Sequence, residues 1–453
     1  MVESLSAVTL LQRRWGQDWL VGLDPAAFWS QVEYRCEQLP ADSVVLLAEA
    51  DPLDFLAGFY AACMKQCILM LANPHWRQRE WHQLAQVGLV PEVIWGSCSP
   101  SVFSGVEGIP WTLPPAALLI PTGGSSGQLR FAIHTWNTLA TAVRGLQQHL
   151  QVESINAYCV LPLYHVSGLM QAVRTLISGG QLALQPFKAL EQEGPLAIDP
   201  AGFVLSLVPT QLQRLLRRGA TAWLQQFQAI FLGGAPVWPA LLAQAQALPL
   251  ALTYGMTETA AQIATLLPTE FRAGHRSSGR CLPHGQITIV DAEGRPLPPG
   301  SVGQIQIQAK SLALGYVPGP EPELQANQLH PDDLGYVDEA GYLHVVGRGS
   351  TKIISGGENI FPQEVEAALL ATGRVLDCAV VGLPDPLWGQ AVTVLYVPQG
   401  SVTMAQLKHA IAPHLSPYKQ PKHWIALSAL PRNAQGKLNR LDLQQLAYDC
   451  LRG

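Results

Sequence analysis

The chain has 453 residues, 48% of them hydrophobic and 13% charged, with a net charge of −5. That length calls for two or three domains, and that composition supplies a large buried core and excludes global disorder. The acidic balance leaves no basic footprint, so neither nucleic acid nor an anionic membrane is expected as a partner.

The eight cysteines are scattered. Cys63 and Cys67 form the one close pair, and no second pair follows at metal spacing. Buried free thiols in a reducing compartment are expected. No basic segment followed by an apolar core opens the sequence, and the apolar region 55–71 is broken by Lys65 and Gln66. A cytoplasmic protein without a membrane span is expected.

In chain order, residues 1–40 read as helical, with Trp15, Trp19 and Trp29 as packing anchors. Short apolar strands at 43–48, 67–72 and 92–95 alternate with helices at 54–63 and 76–87, the pattern of a parallel sheet in an α/β domain. The apolar run 116–120 leads into Pro121-Thr-Gly-Gly-Ser-Ser-Gly-Gln-Leu-Arg130. Beyond it Trp136, Leu139, Val143, Leu146 and Leu150 recur at helical spacing. The glycine- and hydroxyl-rich loop is therefore expected between a strand and a helix. Glycine lets backbone N–H groups approach an anion, Thr122, Ser125 and Ser126 add hydroxyl donors, and Arg130 adds a fixed charge. This suits nucleotide phosphates, although a turn with no ligand has the same composition. The missing Gly-Lys-Ser/Thr excludes a Walker A loop.

Strands at 157–163, 203–208, 229–232 and 250–253 continue the alternation. They run into Tyr164-His165-Val-Ser-Gly168, Pro209-Thr-Gln-Leu-Gln-Arg-Leu-Leu216, Gly233-Gly-Ala-Pro236 and Tyr254-Gly-Met-Thr-Glu258. Ligands of open α/β sheets bind beyond such strand ends. From residue 286 the pattern changes to alternating strands at 286–290 and 303–307 and a hairpin at 334–346. Helices at 362–371 and 404–411 and strands at 378–381, 392–397 and 423–427 then describe an α+β unit. The junction is Gly347-Arg-Gly-Ser-Thr-Lys352, a polar segment suited to a hinge. The expected fold is a large N-terminal α/β domain, residues 1–348, of parallel sheets with helices plus a small β region. A smaller mobile α+β C-terminal domain, residues 349–453, follows.

Three side chains have chemistry of interest. Glu258 beside Thr257 suits a magnesium ion bridging phosphates, or else is an exposed loop carboxylate. Asp333 suits a ribose diol, or else caps a turn. Lys437, within Pro431-Arg-Asn-Ala-Gln-Gly-Lys-Leu-Asn-Arg440, reads by itself as a solvated lysine.

Taken in order, these segments resemble the acyl-adenylate-forming superfamily of acyl-CoA synthetases, adenylation domains and luciferases. The resemblance runs from about Ser43 to Arg440 and rests on five motifs in the family's order: 121–130, 233–236, 254–258, 333–359 and 431–440. It implies ATP, magnesium and coenzyme A as cofactors. Thr122, Gly123, Gly124, Ser125, Ser126 and Gly127 would contact the β- and γ-phosphates. Where the family usually ends this loop in Pro-Lys-Gly, this chain has Leu129, Arg130 and Phe131, which keeps the charge and changes its geometry. Gly234, Ala235, Pro236, Tyr254 and Gly255 match the adenine pocket. Thr257 matches an α-phosphate contact, Glu258 the magnesium ligand, and Asp333 with Arg348 the ribose-binding pair. Lys437 matches the lysine of the first half-reaction. His165, with Ser167 beside it, matches the position between the acyl and pantetheine pockets. Gly356 and Gly357 match the loop lining the pantetheine tunnel, and Ser350 the hinge, followed here by Thr351 where aspartate is common.

The implied reaction has two steps. A substrate carboxylate attacks the ATP α-phosphorus to give acyl-adenylate and pyrophosphate, and the thiol of coenzyme A then displaces AMP. Ile353-Ile-Ser-Gly-Gly-Glu-Asn-Ile-Phe-Pro362, the short chain and the segment 208–216 look like the 2-succinylbenzoate–CoA ligases of menaquinone and phylloquinone synthesis. The phosphate loop with Arg130-Phe-Ala132 looks like their cyanobacterial members. Arg214 matches an arginine associated with substrate binding there and suits the second carboxylate of a diacid, although a solvent-facing helical arginine fits the position equally. The alternatives are another aryl- or medium-chain acyl-CoA ligase, or a free-standing adenylation domain loading a carrier protein.

Overall fold

The computed structural model of the chain describes residues 7–109, 111–123, 129–319, 328–432 and 438–452. They divide into two compact units. The first holds described residues within Met1–Gly234, Leu248–Ile287 and Ile307–Leu329, and the second those within Ala235–Ala247, Thr288–Gln306 and His330–Gly453. Compactness thus groups 235–247, 288–306 and 330–348 with the C-terminal segment, whereas the sequence reading counts them with the N-terminal domain.

The first unit is built on two sheets. Among the described residues, one runs in the order Leu20–Val21, Leu182–Leu184, Asn156–Cys159, Phe203–Leu207, Ala229–Leu232, Leu250–Met256, Ala261–Thr265 and Arg280–Cys281. Its first six strands are parallel and its last two antiparallel. Phe203–Leu207 and Ala229–Leu232 are buried at every position, which is why they read as continuous apolar runs. The other sheet runs Tyr316–Val317, Leu129–His134, Leu118–Gly123, Ile68–Leu71, Val44–Ala48 and Val93–Gly96. Helices Pro52–Met64, Trp136–Leu150 and Val166–Ser178 contribute Phe55, Phe59, Leu139, Val143, Leu169 and Val173 to one core. Trp19 and Trp29 are buried in it, and the ring of the more exposed Trp15 lies tilted against that of Trp29 at 4.5 Å.

Two local expectations fail, and both failures bear on the site. The phosphate loop does not join a strand to a helix. It lies between the antiparallel strands Leu118–Gly123 and Leu129–His134, and the helix Trp136–Leu150 starts only after Thr135, whose hydroxyl accepts the Thr138 N–H. Residues 129–134 read Leu-Arg-Phe-Ala-Ile-His, a run too short and too irregular to stand out against the helical spacing beyond it. The second concerns Tyr254 and Gly255, which lie within the strand Leu250–Met256 rather than beyond it. That strand extends because it gains an antiparallel neighbour, Ala261–Thr265. A Cβ on Gly255 would sit 1.9 Å from the Ala261 carbonyl oxygen, so only glycine permits this approach.

In the second unit the hairpin Asp333–Val337 and Leu343–Arg348 sets Asp333 opposite Arg348. A further sheet runs Glu358–Ile360, Ile353–Ser355, Gly389–Pro398 and Val375–Asp385, with His423–Ala426 parallel to Gly389–Pro398. Both of its faces are covered. Val365, Leu369, Leu407 and Ile411 of the helices Pro362–Ala371 and Met404–Ile411 pack with Val380 and Val394. Leu443 and Ala447 of the helix Arg440–Arg452 pack with Val381 and Leu395. This is the expected small α+β domain. Among the described residues no helix is long and apolar enough to cross a membrane.

Candidate functional site

In the first unit the site is built around the one-turn segment Thr257–Thr259, between the strands Leu250–Met256 and Ala261–Thr265. Its three carbonyl oxygens are each held by a distant residue. The Thr257 oxygen lies 2.8 Å from His134 Nε2, the Glu258 oxygen accepts the Ala313 N–H at 2.8 Å, and the Thr259 oxygen accepts the Ser311 hydroxyl at 3.3 Å. A short turn anchored at every residue presents its middle side chain in one direction. That side chain is the Glu258 carboxylate. Its Oε1 accepts the Tyr316 hydroxyl at 2.9 Å and the Thr122 hydroxyl at 3.4 Å. Its Oε2 has no partner among the described residues.

Thr122 lies opposite Arg130 across the antiparallel pair, so the structure brings a phosphate-loop hydroxyl, the fixed charge and the proposed metal ligand together. The Arg130 guanidinium lies 5.9 Å over the Tyr316 ring, and Tyr316 sits on the next strand opposite Ala132. Gly123 ends its strand opposite Leu129. Gly124, Ser125, Ser126, Gly127 and Lys437 lie outside the described residues. Gly234 adopts a left-handed φ of +77°, and Tyr254 and Gly255 precede the turn on its own strand.

His134 was not singled out by the sequence. A carbonyl can only accept, so its Nε2–H donates to Thr257, while its Nδ1 lies 2.9 Å from the Thr138 hydroxyl. Burial pushes its pKa down to about 4, with the Thr257 carbonyl opposing the shift. The ring therefore folds neutral. Between pH 6.5 and about 4 the unfolded chain takes up a proton that the folded ring refuses, so this contribution to stability is complete above pH 6.5 and is lost as pH falls. The loss approaches on the order of 3 kcal/mol. Urea denaturation of wild type and His134→Gln from pH 7.5 to 4.5 is expected to show the stability difference shrinking steadily toward low pH; a constant difference would contradict a buried neutral imidazole.

His165 caps the helix Val166–Ser178 and its ring lies 4.7 Å from that of Tyr164. Gly168 lets the first turn close, since a Cβ there would lie 2.1 Å from the Pro162 oxygen. Ser167 is exposed on the same turn. Further along this helix is Arg174, 4% exposed, which the sequence reading passed over. Its Nη2 donates to Gln262 Oε1, and Gln262 pairs with Gly255 across the hairpin. No carboxylate among the described residues pairs with it, its Nε and the nearby Gln171 Oε1 are buried without partners there, and burial pushes its pKa down to about 10. The available signal was a lone charge in an otherwise wholly buried run, 168–176.

Arg214 is placed differently from the expectation of a cation available to substrate. Its side chain is 57% exposed, pairs with the buried Glu191 and lies over the Phe187 ring. Glu191 also faces Arg218. The reason is local: the helix Pro209–Arg217 turns its leucines inward and leaves Arg214 on the outer edge, where Glu191 neutralises it.

In the second unit Arg348 Nε donates to Asp333 Oδ1 at 3.1 Å, so the expected ribose pair is assembled by strand register. Ala235 and Pro236 are exposed. The Ser350 N–H donates to the Asp332 carboxylate at 2.9 Å, and the Gly349 N–H donates to the Asp332 carbonyl at 2.8 Å. Gly356 and Gly357 form the turn between Ile353–Ser355 and Glu358–Ile360, at φ values of +61° and +85°. A Cβ at 356 would press on Trp388, whereas at 357 it would meet nothing within 4 Å.

The chain resembles known proteins over most of its length. Residues 108–317 match the AMP-binding enzyme family and residues 364–437 the AMP-binding enzyme C-terminal domain. A 2-succinylbenzoate–CoA ligase of Enterococcus faecalis is 33% identical over 335 residues, covering 73% of this chain and 69% of the relative. One from Bacillus anthracis is 33% identical over 353 residues, covering 75% and 72%. The fold superposes on an o-succinylbenzoate CoA synthetase (MenE) of Bacillus subtilis in complex with the acyl-adenylate intermediate OSB-AMP, with a TM-score of 0.83, 25% identity and coverage of 96% and 97%. It also shares the fold of ATP-bound MatB from Rhodopseudomonas palustris, with a TM-score of 0.78, 22% identity and coverage of 98% and 99%.

Proposed function

The chain belongs to the AMP-binding enzyme family, among its 2-succinylbenzoate–CoA ligases, and from that premise we propose that it joins 2-succinylbenzoate to coenzyme A through an acyl-adenylate, cleaving ATP to AMP and pyrophosphate. This is a step of menaquinone or phylloquinone synthesis. The observation that carries the choice of a diacid is Arg174. A buried guanidinium without a carboxylate is costly to fold, and a second carboxylate on the substrate offsets that cost in the bound state. Arg174 takes this role in preference to Arg214, whose charge Glu191 already meets. Because Gln262 holds Arg174, the guanidinium lies beside the strand Ala261–Thr265, the antiparallel neighbour of the strand that carries Tyr254. One carboxylate is thereby held while the other is free to react.

Magnesium, when bound, neutralises charge on the ATP phosphates. Glu258 fits it, since a hard cation seeks oxygen ligands and Oε2 is left without a described protein partner. In this reading Thr122 and Thr257 contact the phosphates, Arg130 adds charge beside them, and Asp333 with Arg348 holds the ribose diol. Lys437 serves adenylation, and the turn at Gly356 and Gly357 serves thioester formation, with Ser350 as the hinge of a C-terminal domain beginning at residue 349. The hinge amide is held by Asp332, so rotation must break that bond. Eight free cysteines suit a reducing cytoplasm. Purified protein with ATP, magnesium and coenzyme A is expected to favour 2-succinylbenzoate over benzoate or octanoate in kcat/KM by about 10-fold or more; equal turnover of a plain monocarboxylic acid would refute the diacid reading.

A further inference from the structure

We propose that Tyr316 is a positioning residue for adenylate formation: its phenol fixes the Glu258 carboxylate so that one oxygen is satisfied and the other is presented to magnesium. The inference rests on the reading of Glu258 as the magnesium ligand. Its basis is that one segment holds Glu258 twice. The Ala313 N–H binds its backbone oxygen and, three residues on, the Tyr316 hydroxyl binds its Oε1 at 2.9 Å. The chemistry of the donor matters. A lysine or arginine in this place would pair with the carboxylate and cancel the charge that a cation needs. A phenol is a neutral single donor at this pH, so it orients the carboxylate and leaves the negative charge intact.

Tyr316 is itself placed by the phosphate-loop sheet. It lies opposite Ala132, on the same face as Arg130 two residues earlier, and the Arg130 guanidinium lies 5.9 Å over its ring. Thr122, directly across from Arg130, donates to the same Glu258 oxygen. The strand arrangement thus couples the loop's fixed charge to the metal ligand through an aromatic ring. Without the phenol the carboxylate keeps, among the described residues, only the longer Thr122 bond and must be ordered by the metal itself.

Tyr316→Phe keeps the ring and removes the donor. With ATP at saturation, the magnesium concentration for half-maximal pyrophosphate release is expected to rise about 10-fold, while the rate at saturating magnesium changes far less. Acyl-CoA formation from added acyl-adenylate, which needs no magnesium, is expected to be unchanged. A binding readout accompanies these. The rise in Tm that magnesium adds to ATP-saturated protein should shrink in Tyr316→Phe, while the rise from ATP alone should stay. In a double-mutant cycle, Tyr316→Phe should add little to Glu258→Gln, because its effect runs through that carboxylate. An unchanged magnesium requirement, or full additivity with Glu258→Gln, would overturn the proposal. The Tm measurements with ATP and magnesium use no acid substrate, so they stand even if the diacid assignment fails, and pyrophosphate release is followed with whichever acid the protein adenylates. Loss of all magnesium response in wild type would instead refute Glu258 as the ligand.

Discussion

Lys437→Ala is expected to slow acyl-adenylate formation by about 10²–10³-fold, the scale of removing one preorganised charge from a developing oxyanion. The α-phosphorus itself is attacked only in that step, so acyl-CoA formation from supplied adenylate, in which the thiol attacks the acyl carbon, should be spared. Gly357→Trp is expected to do the reverse. A Cβ at 357 meets nothing within 4 Å in this structure, so a side chain can start there at the cost of a left-handed backbone at φ +85°. It would, however, fill the turn assigned to pantetheine. Single-turnover pyrophosphate release and acyl-CoA formation from added adenylate separate the two. Equal damage to both steps by both folded variants would remove the case for a C-terminal domain that alternates about Ser350.

Arg174→Met is expected to lower kcat/KM for 2-succinylbenzoate by about 10²-fold, the loss of one or two charge-assisted hydrogen bonds in a water-excluded site. Turnover of a monocarboxylic aryl acid should change much less, so the preference for the diacid collapses. Methionine keeps much of the volume and removes a charge that no described carboxylate balances. The Tm should therefore hold or rise, since an unpaired buried cation opposes folding in the absence of substrate. A fall in Tm with unchanged diacid preference would mark Arg174 as purely structural. The parallel change at Arg214 should cost some stability, because Glu191, whose side chain is 6% exposed, would keep only the more distant Arg218 among the described residues, and should leave acid preference in place.

Much of this was legible in the chain itself because its signals are local. Continuous apolar runs declared the buried strands, and the helical spacing from Trp136 to Leu150 was met in the structure. Glu258 and the Asp333–Arg348 pair sit in contiguous segments, the latter joined by one hairpin whose turn residues are visible in sequence. Glycine positions such as Gly168 and Gly255 reflect close backbone approaches that any side chain would block. The order of these motifs carried the resemblance to the family, and the resemblance implied its two-step chemistry.

What the sequence alone left undecided lies in pairings across long separations. Tyr316 meets Glu258 from 58 residues away, Thr122 from 136, and His134 meets the Thr257 carbonyl from 123. Tyr316 belongs to a two-residue strand, too short to show any period. Arg214 lies in a segment that carries the resemblance and Arg174 does not, so the sequence pointed to Arg214 and left Arg174 unremarked. Only the packing separates them, by bringing Glu191 to Arg214 and only the amide of Gln262 to Arg174. Hydrophobic periodicity reports which face of an element is buried but not which polar group waits on the other side. The electrostatics of a buried charge depend on that partner, and the partner is set by tertiary contact.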